Sequence, residues 1–170
     1  MDRPRSPRRS PLRAGMLGVT VAVLAACATQ PTPLQGEYAT VTPRDASTID
    51  ATGQVVRWGG RIVQTEPHDN RTCFEVISTR LDVSARPYWA SDVDDGRFIA
   101  CRSGFYDPAV FEPNREVTFT GHIEGYDTRK IGGYDYRFPR VAADVVYLWP
   151  IHERVDMLTY PPPWPWWGYW

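Results

Sequence analysis

Apolar and polar side chains alternate one by one along several separate stretches of this chain, the period-two pattern of half-buried β-strands. From Gln54 to Thr65, Val56, Trp58 and Ile62 fall on one side, and Arg57 and Arg61 on the other. Gly59-Gly60 interrupts that run and predicts a bulge or a sharp bend at a barrel corner. The turn residues Pro67-His68-Asp69-Asn70 lead into a second strand, Thr72 to Thr79, and Asp94-Asp95-Gly96 leads into a third, Arg97 to Ser103. Arg115 to Ile123 alternates most regularly, with Val117, Phe119 and Ile123 inward and Glu116, Thr118, Thr120 and His122 outward. A last segment, Tyr134 to Trp149, is divided by Pro139, and Asp82 to Ser91 has room for a helical turn that Pro87 limits. The expectation is an all-β chain: a small antiparallel OB-like barrel or curled sheet of about five or six strands, with an extended tail.

The amino-terminal pattern differs. Arg3, Arg5, Arg8, Arg9 and Arg13 precede an apolar run from Ala14 to Leu24, then Ala25, Ala26 and Cys27. A basic start, a short apolar core and small residues before a cut are the parts of a secretory leader. The run of about eleven residues is short for crossing a bilayer core of roughly 30 Å. Leu24-Ala25-Ala26-Cys27 resembles the lipobox of bacterial lipoproteins, in which the cysteine sulfur takes a diacylglycerol and the leader is removed. Residues 1–26 are thus expected to be a signal peptide and Cys27 the point of lipid attachment. Several acyl chains anchor a protein stably where one does not. Ala28, in place of an aspartate, favours the outer membrane in the sorting logic of such proteins; its periplasmic face is expected, with its outer surface as the alternative.

Cleavage changes the charge. Five of 19 Lys and Arg and one of 20 Asp and Glu precede Cys27, so the mature chain carries 14 against 19, about −5. That balance argues against a nucleic-acid partner, which needs clustered positive charge. Residues 27–47, with Pro31, Pro33 and Pro43, read as a lipidated tether, although Tyr38 to Val41 also suits an edge strand. Residues 48–153 read as the folded body and 154–170 as a tail.

Cys73 and Cys101 form an even pair in an oxidising compartment, and a disulfide between them is expected, with two buried thiols as the alternative. His68, His122 and His152 stand far apart in sequence. His68 with Glu66 and Asp69 reads as a solvated turn, and so do Asp92, Asp94 and Asp95, which lack the spacing of a calcium loop. Ser103 lacks a nucleophile elbow. No catalytic residue, metal site or cofactor is expected. The tail holds Trp164, Trp166, Trp167 and Trp170 among prolines that favour an extended run. Tryptophan prefers the headgroup zone of a bilayer, so these four are candidates for membrane or partner contact; folding back over the barrel is the alternative.

Val56-Arg57-Trp58-Gly59-Gly60-Arg61-Ile62, Arg97-Phe98-Ile99-Ala100, Ser103-Gly104-Phe105-Tyr106-Asp107-Pro108, Val117-Thr118-Phe119-Thr120-Gly121 and Val146-Tyr147-Leu148-Trp149 resemble the Slp family of starvation- and stress-induced outer-membrane lipoproteins. The resemblance implies an envelope lipoprotein without established enzymatic activity, tied to stationary phase or stress. Its partners would be outer-membrane lipid, through acylated Cys27, and an envelope protein or glycan that it binds or stabilises. A second reading is a ligand-binding module that holds a glycan or an apolar molecule against Trp58, Tyr134 and Tyr136. An envelope hydrolase is a third and poorer one.

Overall fold

The computed structural model describes residues 30–89 and 94–151. Five strands, β1 (Val55–Pro67), β2 (Arg71–Thr79), β3 (Arg97–Ser103), β4 (Glu116–Ile131) and β5 (Tyr134–Leu148), close into one barrel in the order β1-β2-β3-β5-β4. Every pairing is antiparallel except β3 with β5, which run parallel over Ile99–Cys101 and Arg140–Ala142. This is the five-stranded Greek-key order of an OB-fold, as the count and turns predicted. β4 runs on to Ile131, past the Ile123 end that the alternation indicated, while β5 matches the expected last segment. They pair from Val117–Leu148 to Ile131–Tyr134 as one hairpin that turns at Gly132-Gly133, and Pro139 sits within β5 opposite Tyr126.

Gly59 and Gly60 do not form the expected bulge. β1 pairs through both without a break, and its register shift lies between Ile62 and Gln64. The glycines serve close approach instead, where β1 is bonded to β4 and β2 at once. A Cβ on Gly60 would stand 1.9 Å from the carbonyl oxygen of Ile77. Gly121 has the same role at the bulge between β4 and β5, with the Ala142 oxygen 2.1 Å from its virtual Cβ.

The interior is filled. Val56, Trp58, Ile62, Phe74, Val76, Phe98, Phe119 and Val141 form one buried cluster, each at 5% exposure or less. Phe98 meets Trp58 and Phe119 edge-on at 5.3 and 5.8 Å between centroids, and Phe74 meets Tyr106 at 5.6 Å. Each such side chain contributes about 1.5–3 kcal/mol by burial. Cys73 and Cys101, directly paired on β2 and β3 with Cα atoms 4.0 Å apart, are bridged. The disulfide lies on the outer face, where Ile99, Phe138, Ile131 and Tyr136 pack over it. The long β4–β5 hairpin thus occupies the β2–β3 surface with which OB-folds take oligonucleotides or sugars.

A second cover lies across β1, β4 and β5. Thr118 and Thr120 point out of the barrel, as the alternation predicted, yet they are buried. Leu34, Ala85 and Trp149 lie over this face with Leu81, Val145 and Tyr147. The segment 81–87 forms no helical turn. Ala85 adopts a positive φ of 68°, Leu81 bridges Pro87, and Asp82 accepts from Ser84 and Arg86.

The stretch expected to act as a tether is folded from Gln30 onward. A short 3₁₀ turn, Thr32–Leu34, buries Leu34 completely, and α1 (Pro43–Ala46) buries Pro43 and Ala46. Thr42 caps α1 by accepting from the Asp45 amide at 3.1 Å, and Asp45 reaches back to the Thr42 amide at 3.4 Å, a capping box. Tyr38 to Val41 is no strand, although the Ala39 amide donates to the Val55 carbonyl at 2.8 Å. The physical reason is apolar burial: Leu34, Ala39, Val41 and Ala46 all find partners on the barrel.

Candidate functional site

Pairing register builds a row across three strands on the outer face. Arg61 on β1 stands opposite Glu116 on β4, and the Trp149 amide, just past β5, donates to the Glu116 carbonyl at 2.9 Å. Arg86 enters this row from the loop after β2. Its Nε donates to Glu116 Oε2 at 2.7 Å and its Nη2 to the Pro150 carbonyl at 3.0 Å. Its guanidinium carbon also lies 5.4 Å from the Trp149 ring centroid. Arg115 donates to the carbonyls of Trp149 and Val110, both at 3.2 Å. Arg61 stacks 4.3 Å from the ring centroid of Trp89. Arg61, Arg86, Arg115, Glu116 and Trp149 line an open cleft of about 440 Å³ together with Asn114, Pro150 and Ile151.

Three guanidinium groups here meet one carboxylate. Among the described residues, Arg61 and Arg115 have no carboxylate partner. Trp89 holds Arg61 and Trp149 holds Arg86; Arg61 and Arg115 stay partly exposed, whereas the Arg86 side chain is 16% exposed with its Nε and Nη2 engaged. Trp149 is itself fixed: its Nε1 donates to Thr118 Oγ1 at 2.9 Å, and Thr118 donates to the Ala85 carbonyl at 2.8 Å. The cleft therefore offers a preorganised cationic surface with an apolar rim, suited to holding an anion.

The residues singled out from the sequence are not gathered at this site. Cys27, His152, Asp92, Trp164, Trp166, Trp167 and Trp170 lie outside the described residues. Cys73 and Cys101 serve structure. His68 is exposed in the β1–β2 turn, whereas His122 is exposed opposite Val55, at the other end of β1. Asp94 Oδ1 accepts from Arg44 at 2.7 Å and from the Gly96 amide at 2.8 Å. No trio of His, Cys, Asp or Glu among the described residues is placed to hold a metal ion. Ser103 ends β3, exposed.

Trp58, Tyr134 and Tyr136 are not brought together around a ligand. Trp58 is a core residue whose Nε1 donates to the Val41 carbonyl at 2.8 Å. Tyr136 lies against Phe138 on the hairpin, and its hydroxyl accepts from the Arg97 amide at 3.1 Å. Tyr134 is 69% exposed beside the hairpin turn. The arginine cleft escaped sequence reading because Arg61, Arg86 and Arg115 lie on three separate segments. Arg61 was visible only as the polar phase of a strand.

Fold and site together define a small closed OB-type barrel with a basic, aromatic-walled cleft on its exterior. A family model described as the outer membrane lipoprotein Slp family matches residues 24–170, and the chain belongs to that family. It is 33% identical over 143 residues to an uncharacterised protein of Haemophilus influenzae, covering 80% of this chain and 75% of that one. It is 28% identical over 162 residues to the lipoprotein YeaY of Escherichia coli, covering 92% and 83% of the two chains. The outer membrane protein Slp of the same organism is 31% identical over 104 residues, covering 61% and 54%. Family membership makes the chain an envelope lipoprotein of the outer-membrane class. Among the described residues no helix is long and apolar enough to cross a membrane.

Proposed function

We propose that this protein is anchored in the outer membrane by acylated Cys27, faces the periplasm, and acts without catalysis to bind or stabilise an envelope component. The observation that carries this reading is the shortness of the leash. Gln30, three residues after Cys27, is already held on the barrel, where its Oε1 accepts from Arg57 Nη1 at 2.7 Å. Three residues span at most about 11 Å, so a lipid on Cys27 holds the barrel against the bilayer surface. In this reading the protein serves in stationary phase or under stress.

Two measurements test it. Mass spectrometry of the mature amino terminus from envelope fractions should find Cys27 carrying a diacylglycerol and a third acyl chain, with residues 1–26 absent. Fractionation should place the protein with outer-membrane markers, protected from added protease in intact cells. An unacylated chain recovered in the soluble periplasm would overturn the anchor. Accessibility to protease on whole cells would overturn the periplasmic face.

A further inference from the structure

We infer that the cleft of Arg61, Arg86 and Arg115 is a docking surface for the phosphate groups of anionic lipid headgroups, so that the barrel lies on its own membrane with the Trp149 face down. The inference rests on the proposed anchor at Cys27 and specifies the side of the domain that the anchor presents.

Three observations converge. Both ends of the described chain meet at this face: Leu34, four residues after Gln30, packs with Ala85 and Trp149, and the chain passes from Trp149 through Pro150 and Ile151 along the cleft. Whatever holds Cys27 at a bilayer therefore brings this face near it. The charge is also local. The mature chain is about −5, yet the described cleft residues carry three arginines against Glu116 alone. An acidic domain approaches an anionic surface favourably only through such a patch.

The third observation is the rim. Ile151 is 68% exposed beside the cleft, and the loop that supplies Arg86 also carries Val83 at 75% and Tyr88 at 59%. Arg61 and Arg86 against tryptophan rings, with exposed Ile151 at the cleft edge, match a surface that is phosphate at one depth and hydrocarbon at the next. Guanidinium forks suit phosphate oxygens in a bidentate manner.

The test uses the complete mature chain, 27–170, with Cys27→Ser so that no acyl group contributes. Binding is measured by co-sedimentation with vesicles of phosphatidylcholine alone, and of phosphatidylcholine with phosphatidylglycerol. Strong binding is expected only on the phosphatidylglycerol vesicles, weakening as salt is raised. Arg61→Gln with Arg115→Gln should lose roughly tenfold to thirtyfold in affinity, the usual effect of removing two basic residues from an anionic surface. The paired lysine replacements should retain binding within a few-fold. Arg61→Gln alone, which breaks no side-chain hydrogen bond among the described residues, gives a smaller loss and guards against misfolding of the double variant.

Equal binding to both vesicle types, or binding unchanged by the glutamine variants, would overturn the inference and assign contact to another part of the chain. Saturable binding of inorganic phosphate without vesicle binding would overturn it as well, because the site would then take a free anion. None of these results touches the acylation of Cys27, which mass spectrometry decides separately.

Discussion

The indole N–H of Trp149 donates to the hydroxyl of Thr118 at 2.9 Å, joining the end of β5 to an outward-facing position of β4 beneath a cover of Leu34 and Ala85. The Thr118 hydroxyl donates in turn to the Ala85 carbonyl at 2.8 Å, so two bonds link the end of β5, β4 and the loop that carries Arg86. Trp149→Ala is expected to destabilise the barrel by about 3–5 kcal/mol, the usual cost of deleting a buried tryptophan. Trp149→Phe keeps most of the apolar contact and should cost about 1–2 kcal/mol through the lost hydrogen bond. Urea denaturation of the three proteins ranks them; equal midpoints would show that the outer cover adds nothing.

Cys73 and Cys101 close a loop with a sequence separation of 28. Removing such a crosslink costs roughly 3.5 kcal/mol in the chain-entropy model. Denaturation of the oxidised protein, compared with Cys73→Ala/Cys101→Ala, should show a loss of that order, with the native near-UV spectrum retained. The barrel interior does not contain the bridge, so the fold survives without it. Loss of the folded spectrum in the double variant would contradict that placement.

Gly60 and Gly121 are irreplaceable for a steric reason. Their virtual Cβ atoms fall 1.9 and 2.1 Å from backbone oxygens, which no rotamer change relieves. Gly60→Ala and Gly121→Ala should each cost more than about 2 kcal/mol, at or beyond the ordinary range of overpacking. Gly133→Ala, at the hairpin turn, meets nothing within 4 Å and serves as the control. Thermal midpoints of the three proteins provide the check, and comparable shifts would refute the close approach of β1 to β2 and of β4 to β5.

Asp82 organises the loop that positions Arg86. Its partial burial favours the neutral acid, but hydrogen bonds from Ser84 and the Arg86 amide outweigh this and hold the carboxyl below its ordinary value of 3.8. A carboxylate depressed in the folded state adds stability above its unfolded pKa, and that stability is lost as pH falls through the folded value. Asp82→Asn should therefore lower the melting temperature near neutral pH, and the difference from the parent should shrink below about pH 4. A difference that does not change with pH would remove the ionised form from the account.

Much of the barrel was legible in period-two alternation. Val117, Phe119 and Ile123 point inward as their spacing required, and the turns at 67–70 and 94–96 separate the strands they were expected to separate. The amino-terminal fold was less visible, because prolines and threonines from Ala28 to Thr42 give no periodicity. Its one local signal was the Thr42-x-x-Asp45 capping box.

Local chemistry alone determined five strands with an inward phase and a cysteine pair fit for a bridge. Only the tertiary structure decided what the outward phase does, because side chains that alternate into solvent on one strand can be buried by segments distant in sequence. Thr118 became a buried anchor for Trp149 in this way, and the β4–β5 hairpin covered the disulfide. The arginine cleft is likewise a product of register, which sets Arg61 beside Glu116 and brings Arg86 across from a separate loop to the same carboxylate. Periodicity assigns each residue to a face of its own strand, but neighbours between strands are fixed only when the barrel closes.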